Sequence, residues 1–94
     1  MIDKIRISGP TLRLLKFLLE NNDGQSGASI SKATGLSTGT MYPLLQRLEA
    51  AKWLKGKWED IDPSEAGRPA RRFYKLTPMG YKAALKALSE FQIN

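Results

Sequence analysis

The 94-residue chain is long enough for one hydrophobic core, and it contains neither cysteine nor histidine, which excludes disulfides, thiolate or imidazole metal sites and triad hydrolysis. Fifteen Lys and Arg against nine Asp and Glu leave a formal charge of +6, favouring an anionic partner such as nucleic acid or an acidic membrane surface. The amino-terminal residues lack the apolar run of a signal peptide, and no segment approaches the ~20 apolar residues of a membrane span, so a soluble, cytoplasmic domain without metal or cofactor is expected.

Residues 2–7 alternate weakly, as a short strand or an extended arm would. Ser8-Gly9-Pro10 is a helix-start signal, and Leu12, Leu15, Leu18 and Leu19 follow it, predicting a first helix over 10–21. Asn21 to Gly24 tolerate turn conformations, and Ser26 is placed to cap a short second helix carrying Ala28, Ile30 and Ala33 as far as Gly35. Ser37 then caps a third helix almost at once. Residues 26–51 thus have the layout of a helix-turn-helix.

The third helix is the most informative segment. Met41, Leu44, Leu45 and Leu48 recur at i, i+3, i+4 and i+7 and define a face that packs on a core. The opposite side carries Gly39, Pro43, Gln46 and Ala50, flanked by Tyr42 and Arg47, with Thr38 and Thr40 at the amino end. This outer surface is small, polar and free of acids, which suits a DNA major groove. Pro43 removes a helical hydrogen bond and crowds the carbonyl four residues back, which here belongs to Gly39, so a kink is expected rather than a break.

Residues 53–59 and 71–76 alternate in the manner of two antiparallel strands. Between them, 60–69 is rich in turn formers and too long for a tight hairpin, which predicts a mobile loop. Trp53, Trp58, Tyr74 and Leu76 are expected in the core rather than as a base-stacking surface. A last helix starts at Thr77-Pro78 and carries the stripe Tyr81, Ala84, Leu85, Leu88 and Phe91, for which an interface with a second subunit is expected. The fold expected is mainly α with a small antiparallel β-hairpin: a single winged-helix domain over 1–94, with the helix-turn-helix at 26–51, the wing at 53–77 and a carboxy-terminal helix at 78–91.

Two blocks, Gly39-Thr40-Met41-Tyr42-Pro43-Leu44-Leu45-Gln46-Arg47-Leu48-Glu49 and Gly67-Arg68-Pro69-Ala70-Arg71-Arg72-Phe73-Tyr74-Lys75-Leu76-Thr77, resemble the signature segments of the PadR family of transcriptional regulators. The likeness extends over roughly residues 10–90, and its Tyr-Pro and Gly-Arg-Pro elements are more specific than a generic helix-turn-helix. It implies a homodimeric winged-helix binder of double-stranded DNA, usually a repressor, with Tyr42, Pro43 and Arg47 in the recognition helix and Gly67, Arg68 and Pro69 in the wing. It also implies a short form of the family, since many members continue into a long carboxy-terminal helical region.

The DNA contacts expected are Thr38, Gly39, Thr40, Tyr42, Pro43, Gln46 and Arg47 from the third helix, and Arg68, Arg71 and Arg72 from the wing, with Arg13 and Lys32 adding phosphate contacts. Arginine suits a narrow, negative minor groove. Lys55, Lys57 and Lys75 read more readily as solvated strand positions than as DNA contacts. A small aromatic effector held near Trp53, Trp58 or Phe91 is a further expectation. Two rival readings stand beside this one: a winged-helix adaptor that binds protein rather than DNA, and an enzyme built on Asp60, Asp62 and Glu65, the one acidic cluster suited to acid–base or metal work. RNA binding would use the same charge, but the spacing of an RNA-recognition stacking platform is lacking.

Overall fold

A computed structural model describes residues 7–91; the strand or arm expected at 2–7 lies almost entirely outside them. The elements in order are α1 (Gly9–Glu20), β1 (Gln25–Ser26), α2 (Gly27–Thr34), α3 (Thr38–Ala50), β2 (Leu54–Trp58), α4 (Pro63–Ala66), β3 (Arg72–Leu76) and α5 (Pro78–Phe91). Their boundaries follow local chemistry. Ser8, Ser26 and Ser37 are extended residues whose hydroxyls accept the N–H groups of Thr11, Ser29 and Thr40, satisfying donors that a helix start leaves open. Gly35 ends α2 in the left-handed conformation at φ 75°, where a side chain would be strained.

The end of α3 is less ordinary. Lys52 adopts φ 69°, while the N–H groups of Lys52 and Trp53 reach back to the carbonyls of Glu49 and Leu48 at 3.0 and 2.9 Å. This is glycine-type capping geometry carried by a lysine, at a cost of about 1–2 kcal/mol. It turns the chain sharply into β2.

The core gathers Leu14, Leu15 and Leu18 of α1, Ile30 of α2, and Met41, Leu44, Leu45 and Leu48 of α3 under Leu54, Tyr74 and Leu76 of the sheet. Burying each leucine contributes roughly 1.5–3 kcal/mol, and the spacing of the four α3 residues fixes which side of that helix is left to solvent. β3 lies in the middle of a three-stranded antiparallel sheet of order β1-β3-β2, with Leu54 opposite Leu76 and Trp58 opposite Arg72. β1 adds a two-residue pairing, Gln25 with Tyr74 and Ser26 with Phe73, which ties the start of α2 to the wing. The fold is a winged helix-turn-helix.

Three expectations need correction. The 60–69 connection contains α4, capped by Asp62, whose carboxylate accepts the Ser64 N–H at 3.0 Å, and terminated by left-handed Gly67. Trp58 is 61% exposed, because β2 runs past the end of the core before reaching it. Ala84 is 0% exposed within the single chain and has no area left for a partner. On α5 the small residues Gly80, Ala84 and Ala87 face inward, Tyr81 and Leu85 are exposed and Leu88 is half-buried; the side chain of Phe91, expected in the same interface, lies outside the described residues.

Candidate nucleic-acid interface

Because Met41, Leu44, Leu45 and Leu48 anchor α3, Thr38, Gly39, Thr40, Tyr42, Pro43, Gln46 and Arg47 form one continuous exposed edge. Thr40 Oγ1 lies 3.2 Å from Ser37 Oγ, which orders the first turn. The Tyr42 phenol lies over Gly27, where a Cβ would collide with the ring at 2.9 Å from Cζ. The start of α2 and the middle of α3 are consequently held together, with the Tyr42 hydroxyl at their seam. Arg13 donates to the carbonyl of Thr34, the last residue of α2, at 3.2 Å, and Arg13 and Lys32 are both exposed.

The three wing arginines, alike in sequence, differ in structure. Arg68 forms a forked pair with Glu59, Nη1 to Oε1 at 2.8 Å and Nη2 to Oε2 at 3.0 Å. Arg72 pairs with Glu49 of α3 at 2.5 Å and lies 5.3 and 5.9 Å from the ring centres of Trp58 and Tyr74, a stacked cation that accounts for the exposed tryptophan. Its guanidinium covers Gly56, where a Cβ would come within 2.7 Å of Cζ. Arg71 is exposed and makes no ion pair among the described residues. Of the three, Arg68 and Arg72 are thus engaged by carboxylates, whereas Arg71, among the described residues, is not.

Hydrogen bonding from Arg68 lowers the Glu59 carboxyl to about 2, and the Arg71 N–H adds to the effect. The same pair raises Arg68 above its ordinary value. Asp62 is lowered by the Ser64 hydroxyl and N–H, so this carboxylate serves as a helix cap. Among the described residues no group of three or more acidic side chains is arranged to hold a metal ion, and no helix is long and apolar enough to cross a membrane.

Between α3, the start of α2 and the wing lies a cleft of about 300 Å³ lined by Ser26, Gly27, Ala28, Tyr42, Trp58, Ala70, Arg71, Arg72 and Tyr74. It joins the exposed edge of α3 to the wing and contains no acidic lining residue. Trp53 directly precedes β2 and Trp58 ends it, about 16 Å apart at ~3.3 Å per residue, too far to share one aromatic ligand face. The ion pairs of Glu49 and Glu59 leave no mark in the sequence. The two glutamates pair with arginines 23 and 9 residues away, separations that carry no periodic signal.

Residues 25–86 match the transcriptional regulator PadR-like family. No curated protein matches in sequence. Solved structures that share the fold include AbfR of Staphylococcus epidermidis, with 23% identity, a TM-score of 0.72 and coverage of 92% of this chain and 54% of that one. A PadR family transcriptional regulator from Eggerthella lenta DSM 2243 has 19% identity, a TM-score of 0.69 and coverage of 83% and 70%. An S. aureus MepR–DNA complex has 25% identity, a TM-score of 0.69 and coverage of 89% and 63%. The chain thus spans little more than half the length of AbfR.

Proposed function

Since the chain belongs to the PadR-like family of transcriptional regulators, we propose that it acts as a homodimeric repressor that reads a pseudo-palindromic operator with α3 in the major groove. The observation that carries this reading is the exposed edge from Thr38 to Arg47, free of acids and backed by four buried leucine and methionine side chains. Gln46 and Arg47 have the donors and acceptors for base edges or backbone, and Thr38, Thr40 and the Tyr42 hydroxyl suit phosphate or base oxygens. The solved DNA complex of MepR, at 25% identity, supports the same use of the fold.

Dimerisation through α5 is supported by Tyr81 and Leu85, which are exposed at 40% and 51%, with Leu88 beside them. Two-fold symmetry would set the half-sites about one helical turn, roughly 34–36 Å, apart or a multiple of it. The test is binding to duplexes from the DNA upstream of the coding sequence and to scrambled duplexes, for wild type and Arg47→Ala. Preferential binding lost in Arg47→Ala supports the reading; equal, feeble binding to every duplex transfers support to the protein-adaptor alternative.

A further inference from the structure

The geometry points to a division of labour among the wing arginines that deepens the DNA-binding reading and rests on it: Glu59 and Arg68 form an internal clasp that presents Arg71, and Arg71 is the wing residue that meets the DNA backbone. Glu59 directly follows β2 and Arg71 directly precedes β3, across the loop that holds α4. Glu59 donates its N–H to the Arg71 carbonyl at 2.7 Å, and its carboxylate Oε1 accepts the Arg71 N–H at 3.2 Å. Both main-chain polar groups of Arg71 are therefore bound to one residue. Arg68 fills the rest of that carboxylate with its fork and also donates to the Pro69 carbonyl at 3.3 Å.

A forked arginine–carboxylate pair is planar and directional, and this one closes the loop just before the strand begins. With its guanidinium spent on Glu59, Arg68 serves the wing as a positioning residue. Arg71 lines the cleft shared with Tyr42 and the amino end of α2, whereas Arg68 does not. A sugar–phosphate strand passing from the major groove under α3 to the minor groove under the wing would cross that cleft, with the Arg71 guanidinium and the Tyr42 hydroxyl on either side. Arg72 also lines it, but is bound to Glu49.

The experiment measures affinity for a short mixed-sequence duplex across a salt series, for wild type, Glu59→Gln, Arg71→Gln and the double variant, with circular dichroism confirming that each is folded. Arg71→Gln should flatten the slope of log K against log salt by about 0.9, the loss of one phosphate contact. Glu59→Gln should weaken binding about tenfold, the scale of one charge-assisted pair, even though it removes a negative charge. In the Arg71→Gln background the same change should have no further effect, because the residue it positions is gone. Tighter binding by Glu59→Gln with a steeper slope would overturn the inference, since it would make Arg68 a phosphate ligand that Glu59 withholds. Amide exchange in the absence of DNA provides a separate readout: Arg71 N–H should exchange faster in Glu59→Gln than in wild type, and unchanged protection overturns the clasp. Failure of the wild type to bind any duplex would instead overturn the DNA reading and the role of Arg71 with it, leaving the exchange result to decide the clasp alone.

Discussion

Replacing Gly80 by alanine adds one methyl group where α5 crosses the chain between α3 and β2. An added Cβ would overlap the Trp53 carbonyl oxygen and lie 2.7 and 2.8 Å from Trp53 C and Cα. These are backbone atoms and they cannot swing aside. Trp53 is fixed by its N–H on the Leu48 carbonyl at 2.9 Å, and its own carbonyl accepts the Thr77 N–H at 3.0 Å, so relief requires the start of α5 to move away from Trp53. Overpacking of this kind costs about 3 kcal/mol at the upper end, and the better helix propensity of alanine returns about 1 kcal/mol. The net loss should be about 2 kcal/mol, a fall in Tm of roughly 8–16 °C for a domain of this size. The control is Gly39→Ala in the first turn of α3, where nothing lies within 4 Å of the added carbon and stability should rise by about 0.5 kcal/mol. Urea denaturation of both variants beside the wild type gives the two signs. A Gly80→Ala protein as stable as wild type would refute the packing assigned to α5.

Lys52→Gly relieves a left-handed backbone at φ 69° and should stabilise the domain by about 0.5–1 kcal/mol in the same denaturation assay. Glu59 is depressed from 4.5 to about 2, so its contribution is complete above pH 4.5 and is lost as the pH falls towards 2. Asp62 shifts in the same direction. Stability followed from pH 7 downward should hold to about 4.5 and then decline, and Glu59→Gln should remove part of that decline. Leu85→Glu, at an exposed position, should leave monomer stability within about 0.5 kcal/mol of wild type while abolishing dimer formation in sedimentation equilibrium.

Local signals made most of the fold legible. Ser26, Gly35, Ser37 and Thr77 mark helix ends by their own hydrogen-bonding and backbone chemistry, and the α3 leucines set that helix's phase without help from distant residues. β1 was not legible, because a two-residue strand has no periodicity and exists only through its pairing with Phe73 and Tyr74. α4 carried readable ends in Asp62, Pro63 and Gly67, but four residues are too few to show a repeating face. On α5 an apolar stripe was readable, yet only packing could show that Ala84 turns inward while Tyr81 and Leu85 face out. That Thr38, Gly39, Thr40, Tyr42, Pro43, Gln46 and Arg47 share one exposed edge was legible for the same reason as α3 itself. The unequal fates of Arg68, Arg71 and Arg72 were not, since their partners Glu59 and Glu49 are brought to them by the wing's closure.

The central claim, that α3 reads DNA from the major groove in a two-fold arrangement, is tested most directly by dimethyl sulfate footprinting on the upstream DNA, which reports guanine N7 in that groove. Protection in two clusters about one helical turn apart, or a multiple of it, lost in Arg47→Ala, is the result predicted. Protection spread evenly along the fragment, or none at concentrations where the protein shifts the DNA, would contradict it.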